Sequence, residues 1–240
     1  MFSDYFDHVF CLNLPVRDEK RIEMDYRLKS SKIDFTFWDA CRGSAISRIG
    51  KLCNDDFQVS VGYLGCLISY LNLFDYALEK GYEKICVIED DVLIHKHINP
   101  LSDLYLPNVP NNADITYYSY IPLSEDWKRW DYNTINSHFI QGSPMGGIFK
   151  ANNLSLSSTM SFSINQKTMQ FIIEKMKEKI TPIDNFIINN IQKNSDFNVY
   201  GINPQFFIAQ NTYSDGAMKD IGDVQRRSLD TRASCVDDYR

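Results

Sequence analysis

The chain of 240 residues is 44% hydrophobic and 13% aromatic, enough for one sizeable α/β domain. Its formal net charge of −6 argues against nucleic acid as the main partner, because a phosphate backbone calls for basic surface. Six cysteines (Cys11, Cys41, Cys53, Cys66, Cys86 and Cys235) lie scattered without a CxxC pair, which speaks for reduced thiols in a cytoplasmic protein rather than a disulfide framework or zinc site. The first residues lack the basic region and apolar core of a secretory signal. No apolar stretch approaches the length that spans a bilayer, so insertion is not expected, while peripheral membrane contact stays open.

The run from His8 to Leu14, closed by Pro15, reads as a first strand. A charged helical segment follows to about Ser30, with Ile22 and Tyr26, then Met24 and Leu28, at helical spacing. Asp34 to Asp39 is a second short strand, so the opening reads as a Rossmann-like half. Arg17 and Arg21, just past the first strand, are placed to meet phosphate or are simply solvated helix charges. Residues 44–60 read as a loop. From Gly62, apolar residues at three- and four-residue spacing give an amphipathic helix that stops near Lys80-Gly81. Gly62 and Gly65 cost helix propensity, which implies that something approaches the backbone there. Ser69, on the next turn, is either a polar ligand or a tolerated serine.

The centre of the sequence is the stretch from Lys84 to Leu93. An apolar, β-branched run, Ile85 to Ile88, passes directly into Glu89, Asp90 and Asp91. Such a run reads as a strand buried on both faces. Three carboxylates cannot lie inside its core, since an unpaired buried charge is far too costly. They therefore emerge at the strand's carboxyl end, where open α/β sheets bind ligands. A divalent cation, Mn²⁺ or Mg²⁺, holding a phosphorylated ligand relieves their mutual repulsion. The plainer alternative is a strand end followed by a solvated acidic turn.

Beyond the acids, His95 and His97 read as exposed loop residues rather than a metal pair. A short helix from Ser102 to Leu106 and a strand from Ala113 to Tyr118 come next. A loop from Leu123 to Asn136 carries Trp127, Trp130 and Tyr132, which fit either a ligand-binding or lid loop or a satellite hydrophobic cluster. A glycine-rich segment from Gln141 to Gly147 is a weak signal of close ligand approach, ahead of strands at 148–150 and 159–164. The helix from Gln166 to Lys179 directs Met169, Ile172, Ile173 and Met176 inward. Pro182 and Asp184 open another helix, where proline and an acid are both favoured. Strands from Phe197 to Ile202 and Phe206 to Ala209 close a single domain over residues 1–222, and a charged tail over residues 223–240 reads as a mobile end.

Several blocks resemble glycosyltransferase family 25, and they occur in that family's order. They are Val9 to Leu14 followed by Arg17 and Arg21; Ala40-Cys41-Arg42-Gly43 after an aromatic strand; Gly62 to Tyr70, similar to a G-x-x-G-C-x-x-S-H motif; and Val87 to Val92, similar to an E-D-D motif. Later, Pro182-Ile183-Asp184 resembles a P-x-D motif, and Pro204 to Gln210 with Ser214-Asp215 resembles P-x-x-x-x-Q and S-D elements. The family includes bacterial lipooligosaccharide and collagen hydroxylysine galactosyltransferases. The resemblance implies a GT-A fold, α/β with a mixed, mostly parallel central sheet, and inverting transfer from a nucleotide-sugar donor.

Carried onto this chain, the resemblance implies a hexosyltransferase moving galactose or glucose from a UDP-sugar to a glycan or hydroxylated acceptor. Asp91 is the expected principal metal ligand, with Asp90 assisting and Glu89 nearer the ribose or sugar. Leu12, Asn13, Arg17 and Arg21 are expected at the nucleotide, and Gly65 and Ser69 beside the donor. Asp184 is the expected base, because direct displacement needs a carboxylate to take the acceptor hydroxyl's proton. Two departures stand out. Tyr70 replaces the usual histidine, and no histidine follows His138, so Gln210 or Asp215 would complete the metal site unless the acids and diphosphate suffice. A catalytically silent sugar-binding module is the alternative. A metal-dependent phosphohydrolase fits less well, since no D-x-D-x-T pattern occurs. Residues 100–157 show little of the resemblance, and the oligomeric state is not legible.

Overall fold

The computed structural model describes residues 1–43, 61–123, 147–152, 154–178 and 180–210, with two short strands beyond them. The loop at 44–60, the Trp127, Trp130 and Tyr132 loop, residues 141–146, Asp215 and the tail at 223–240 lie outside the described residues.

In chain order the elements are β1 (His8–Asn13), α1 (Asp18–Ser30), β2 (Thr36–Asp39), α2 (Val61–Glu79), β3 (Lys84–Glu89), β4 (Val92–Ile94), α3 (Ile98–Tyr105) and β5 (Ile115–Leu123). Then come β6 (Ile148–Lys150), β7 (Ser155–Asn165), α4 (Gln166–Met176), α5 (Ile183–Ile187) running into a π-helical turn (Ile188–Gln192), β8 (Val199–Ile202) and β9 (Phe207–Ala209). Two residues each form β10 (Tyr213–Ser214) and β11 (Lys219–Asp220), an antiparallel pair. The main sheet has the order β2-β1-β3-β7-β5-β8-β6. Pairs β1/β2, β1/β3 and β5/β8 are parallel, while β7 and β6 run against their neighbours. The expected α/β domain with a mixed, mostly parallel central sheet is therefore present. A separate antiparallel pair, β4 with β9, lies just past the end of β3.

The β3 run is buried on both faces, as its composition requires. Ile85 and Val87 enter one core with Phe10, Leu67, Phe74 and Ile172. Cys86 and Ile88 enter the other with Val9, Met24, Leu28 and Phe207, following the two-residue alternation of a strand. On α1, Met24 and Leu28 are buried, whereas Ile22 and Tyr26 are 71% and 72% exposed. Residues two apart on a helix point to opposite sides, so only one of the two apolar pairs can reach the core. The stop of α2 is a Schellman motif: Gly81 has φ +73°, its N–H reaches Leu78 O and the Tyr82 N–H reaches Ala77 O. That tight exit aims the chain straight into β3.

Candidate active site

Strands β1 and β3 are parallel with Leu12 opposite Glu89, so their carboxyl ends are level. Leu12 is core, and Asn13, 1% exposed, is the first side chain of β1 that can turn to the acids. Its amide donates to Asp90 Oδ2 at 2.7 Å. Arg21 reaches back from α1 to Asn13 Oδ1 at 3.4 Å and to Asp39 Oδ1 at 2.8 Å, lying over the Phe37 ring. Arg17 caps the start of α1 and holds Glu19 at 3.2 Å. Asn13, Arg17 and Arg21 thus gather around the carboxyl ends of β1 and β2, beside the acids.

Glu89 ends β3, and its Oε1 accepts from Tyr70 Oη and Thr159 Oγ1, both at 2.8 Å. The same phenol lies 2.8 Å from the Thr159 carbonyl, so its single proton is shared between two acceptors. Burial, then the Asp91 charge, lifts Glu89 to about 7. Burial, then Asp90, lifts Asp91 to about 6, with Lys20 and Arg17 pulling the other way. The Asp91 Oδ1 atom is buried and has no hydrogen-bond partner. A buried carboxylate oxygen without a partner, with a second acid next to it in the chain, is a donor set that fits Mn²⁺ or Mg²⁺. Among the described residues, however, no three His, Cys, Asp or Glu groups converge on one point. A cation held here would take its further oxygens from elsewhere, as from a diphosphate.

Asp184 sits in the first turn of α5, after Pro182. The Asn185 N–H holds its Oδ1 at 2.8 Å, and the Ser157 hydroxyl approaches Oδ2 at 3.4 Å. Burial raises its carboxyl above the usual range. Burial, then the charges of Glu89, Asp184 and Asp91, pushes the Cys66 thiol on α2 up. Between Ser157 and Thr159, which approach Asp184 and Glu89 respectively, Ser158 has φ +85°, a left-handed conformation costly for a residue with a side chain.

Gly65 and Ser69 show why this helix tolerates its glycine. A Cβ on Gly65 would stand 2.6 Å from Cys41 O and Gly43 N. The Ser69 hydroxyl accepts from Cys41 N–H at 2.8 Å and donates to Gly65 O at 2.7 Å. Both residues dock the segment after β2 onto α2. His95 differs from expectation: it is buried, with Nδ1 accepting from the His97 N–H at 3.1 Å, because it follows β4 and its own N–H is tied to the Phe206 carbonyl at 2.9 Å. Sequence reasoning missed Ser157, Thr159 and Lys20. The serine and threonine sit in a polar run that breaks strand alternation, which is the one signal that could have marked them.

A family model described as glycosyltransferase family 25 (LPS biosynthesis protein) matches residues 6–187. The chain belongs to glycosyltransferase family 25. It is 22% identical over 195 residues to a glycosyltransferase 25 family member of Aedes aegypti, covering 75% of this chain and 30% of that protein. It is 22% identical over 161 residues to the lipooligosaccharide biosynthesis protein lex-1 of Haemophilus influenzae, covering 62% and 49% of the two chains. A procollagen galactosyltransferase 1-B of Xenopus laevis is 29% identical over 99 residues, covering 36% and 16%. The chain therefore matches less than half the length of each of these relatives. A crystal structure of a glycosyltransferase involved in glycosylation of the major capsid of PBCV-1 aligns with 76% of this chain and 73% of its own at 7% identity and a TM-score of 0.42. No helix among the described residues is long and apolar enough to cross a membrane.

Proposed function

We propose that the chain is an inverting, metal-dependent hexosyltransferase that moves galactose or glucose from a UDP-sugar to a glycan or hydroxylated acceptor. The observation that carries this reading is the buried, unpartnered Asp91 Oδ1 past the end of β3, with β7 approaching Glu89 through Thr159 and Asp184 through Ser157, two residues apart. Asp91 and Asp90 would hold Mn²⁺ or Mg²⁺, with Asp215 a further candidate ligand. When bound, the cation supplies Lewis-acid neutralisation of the departing diphosphate.

The chain's own residues do the rest. Asn13, fixed between Arg21 and Asp90, sets the middle carboxylate, and Arg17 offers positive charge to the nucleotide. Glu89, anchored through Oε1, keeps Oε2 for the ribose or sugar. Asp184 takes the acceptor hydroxyl's proton as that oxygen attacks the anomeric carbon. Its raised carboxyl is the more basic for being half-buried, which suits a general base. The four described thiols, Cys11, Cys41, Cys66 and Cys86, are free, which supports a reducing, cytoplasmic setting.

The test is UDP release from a panel of UDP-sugars with Mn²⁺, with and without EDTA, for the wild type, Asp91→Ala and Asp184→Asn. Slow release from one donor, abolished by EDTA and by Asp91→Ala, is expected. Asp184→Asn should keep calorimetric UDP binding yet lose transfer by about 10²–10⁴-fold once an acceptor is found. UDP binding that ignores both EDTA and Asp91→Ala would sink the metal assignment.

A further inference from the structure

Gln210 follows β9 and stands opposite Asp91. In the β4/β9 pair, Val92 faces Ala209, and one step on, the Gln210 N–H donates to the Asp91 carbonyl at 2.6 Å. Its side chain reaches toward α1. There Oε1 accepts from Lys20 Nζ at 2.6 Å and from Arg27 Nη1 at 3.2 Å, while Nε2 donates to Glu23 Oε1 at 2.9 Å. Arg27 closes the ring by donating to Glu23 Oε1 and to the Val92 carbonyl, the latter at 3.0 Å. Lys20 is 5% exposed, an unusual depth for an ammonium, and Glu23 lies 3.7 Å from it.

Two consequences follow from elementary donor and acceptor counting. An amide oxygen has two lone pairs, and both are taken by cationic donors. A divalent cation on that oxygen would sit against two positive charges, so the Gln210 side chain is not a metal ligand in this arrangement. Turning the amide over would set its NH₂ against Lys20 and Arg27 and its oxygen against Glu23, so charge on three sides fixes its orientation. The cluster carries one more positive than negative charge, and Lys20 is close enough to act on Asp91.

We propose that Gln210 is a positioning residue: its main chain clamps Asp91 from β9, and its amide ties that clamp to Lys20, Glu23 and Arg27, so that the unpartnered Asp91 Oδ1 is held ready for the cation. This rests on the reading of Asp91 as a metal ligand. Outer groups of this kind are worth about 10–100-fold in metal affinity.

The test measures Mn²⁺ binding to the full chain by electron paramagnetic resonance, with UDP present. Gln210→Glu puts a carboxylate against Glu23 and should weaken Mn²⁺ binding by about tenfold or more. Adding Glu23→Gln exchanges the two groups across the same hydrogen bond at constant net charge, and should restore binding to within about twofold of wild type. Gln210→Ala replaces the single variant if Gln210→Glu does not fold. Were Gln210 itself a ligand, Gln210→Glu would bind Mn²⁺ at least as tightly, and that result overturns the proposal. If the wild type takes up no Mn²⁺ with UDP, the metal assignment of Asp91 has failed, and hydrogen exchange over residues 89–94 decides the positioning claim alone. Exchange that quickens in Gln210→Glu and recovers in the double variant supports it; unchanged exchange overturns it.

Discussion

A phenol and a threonine hydroxyl share one oxygen of Glu89, and that arrangement was only half legible in the sequence. Tyr70 stood out because it replaces a histidine, but its partner Thr159 lies 89 residues away and nothing local announces the contact. Long-range pairs of this kind depend on sheet register, which one sequence does not encode locally. The placement of Asp90 and Asp91 past the carboxyl end of β3 was legible for the opposite reason, because three acids after an apolar strand have nowhere else to go. Tyr70→Phe leaves the buried Thr159 carbonyl short of a donor and Glu89 with Thr159 alone. It should cost about 1–3 kcal/mol of stability, read by urea unfolding. A variant as stable as the wild type would mean that the phenol holds neither group.

Among the elements, strands and helices with a single buried face were readable, and boundaries moved by only a few residues. The stop of α2 at Gly81 and the start of α5 at Pro182 followed their local chemistry. On α1 the spacing offered two apolar pairs, and only tertiary packing decided that Met24 and Leu28 turn inward. The glycines of α2 signalled close approach, and at Gly65 the neighbour is the backbone of Cys41 and Gly43. Because backbone atoms cannot swing aside, Gly65→Ala should destabilise by about 1–3 kcal/mol, outweighing the roughly 1 kcal/mol that alanine gains in helix propensity. Thermal unfolding checks the sign, and a raised midpoint would show that the segment after β2 yields freely.

For the whole molecule, the acids couple fold stability to pH. Glu89 at about 7 and Asp91 at about 6 bind protons more tightly in the folded state than in the unfolded chain. Their contribution is therefore fully present below the ordinary carboxylate range and is lost as pH rises through about 6 to 7. In EDTA the melting temperature should fall between pH 5 and pH 8, and Glu89→Gln should flatten that fall. Mn²⁺ with UDP should raise the midpoint more at pH 8 than at pH 5, since the ionised acids then have a counter-charge. A midpoint that climbs across this window in the metal-free protein, with Glu89→Gln unchanged in slope, would contradict the burial of these carboxyls.

The double burial of β3 bears on how such a protein can change over time. Ile85 and Val87 belong to one core, Cys86 and Ile88 to the other, and Glu89 follows without a break. A strand whose residues serve both cores opens only when the whole domain opens. Substitution there is therefore punished as a folding defect before any effect on chemistry can be selected. The helices and connections around the acids carry no such double duty. Under the proposed sugar transfer, new preferences in descendants of this chain should accumulate on those outer elements, while β3 and its acids pass from one specificity to the next as inherited hardware.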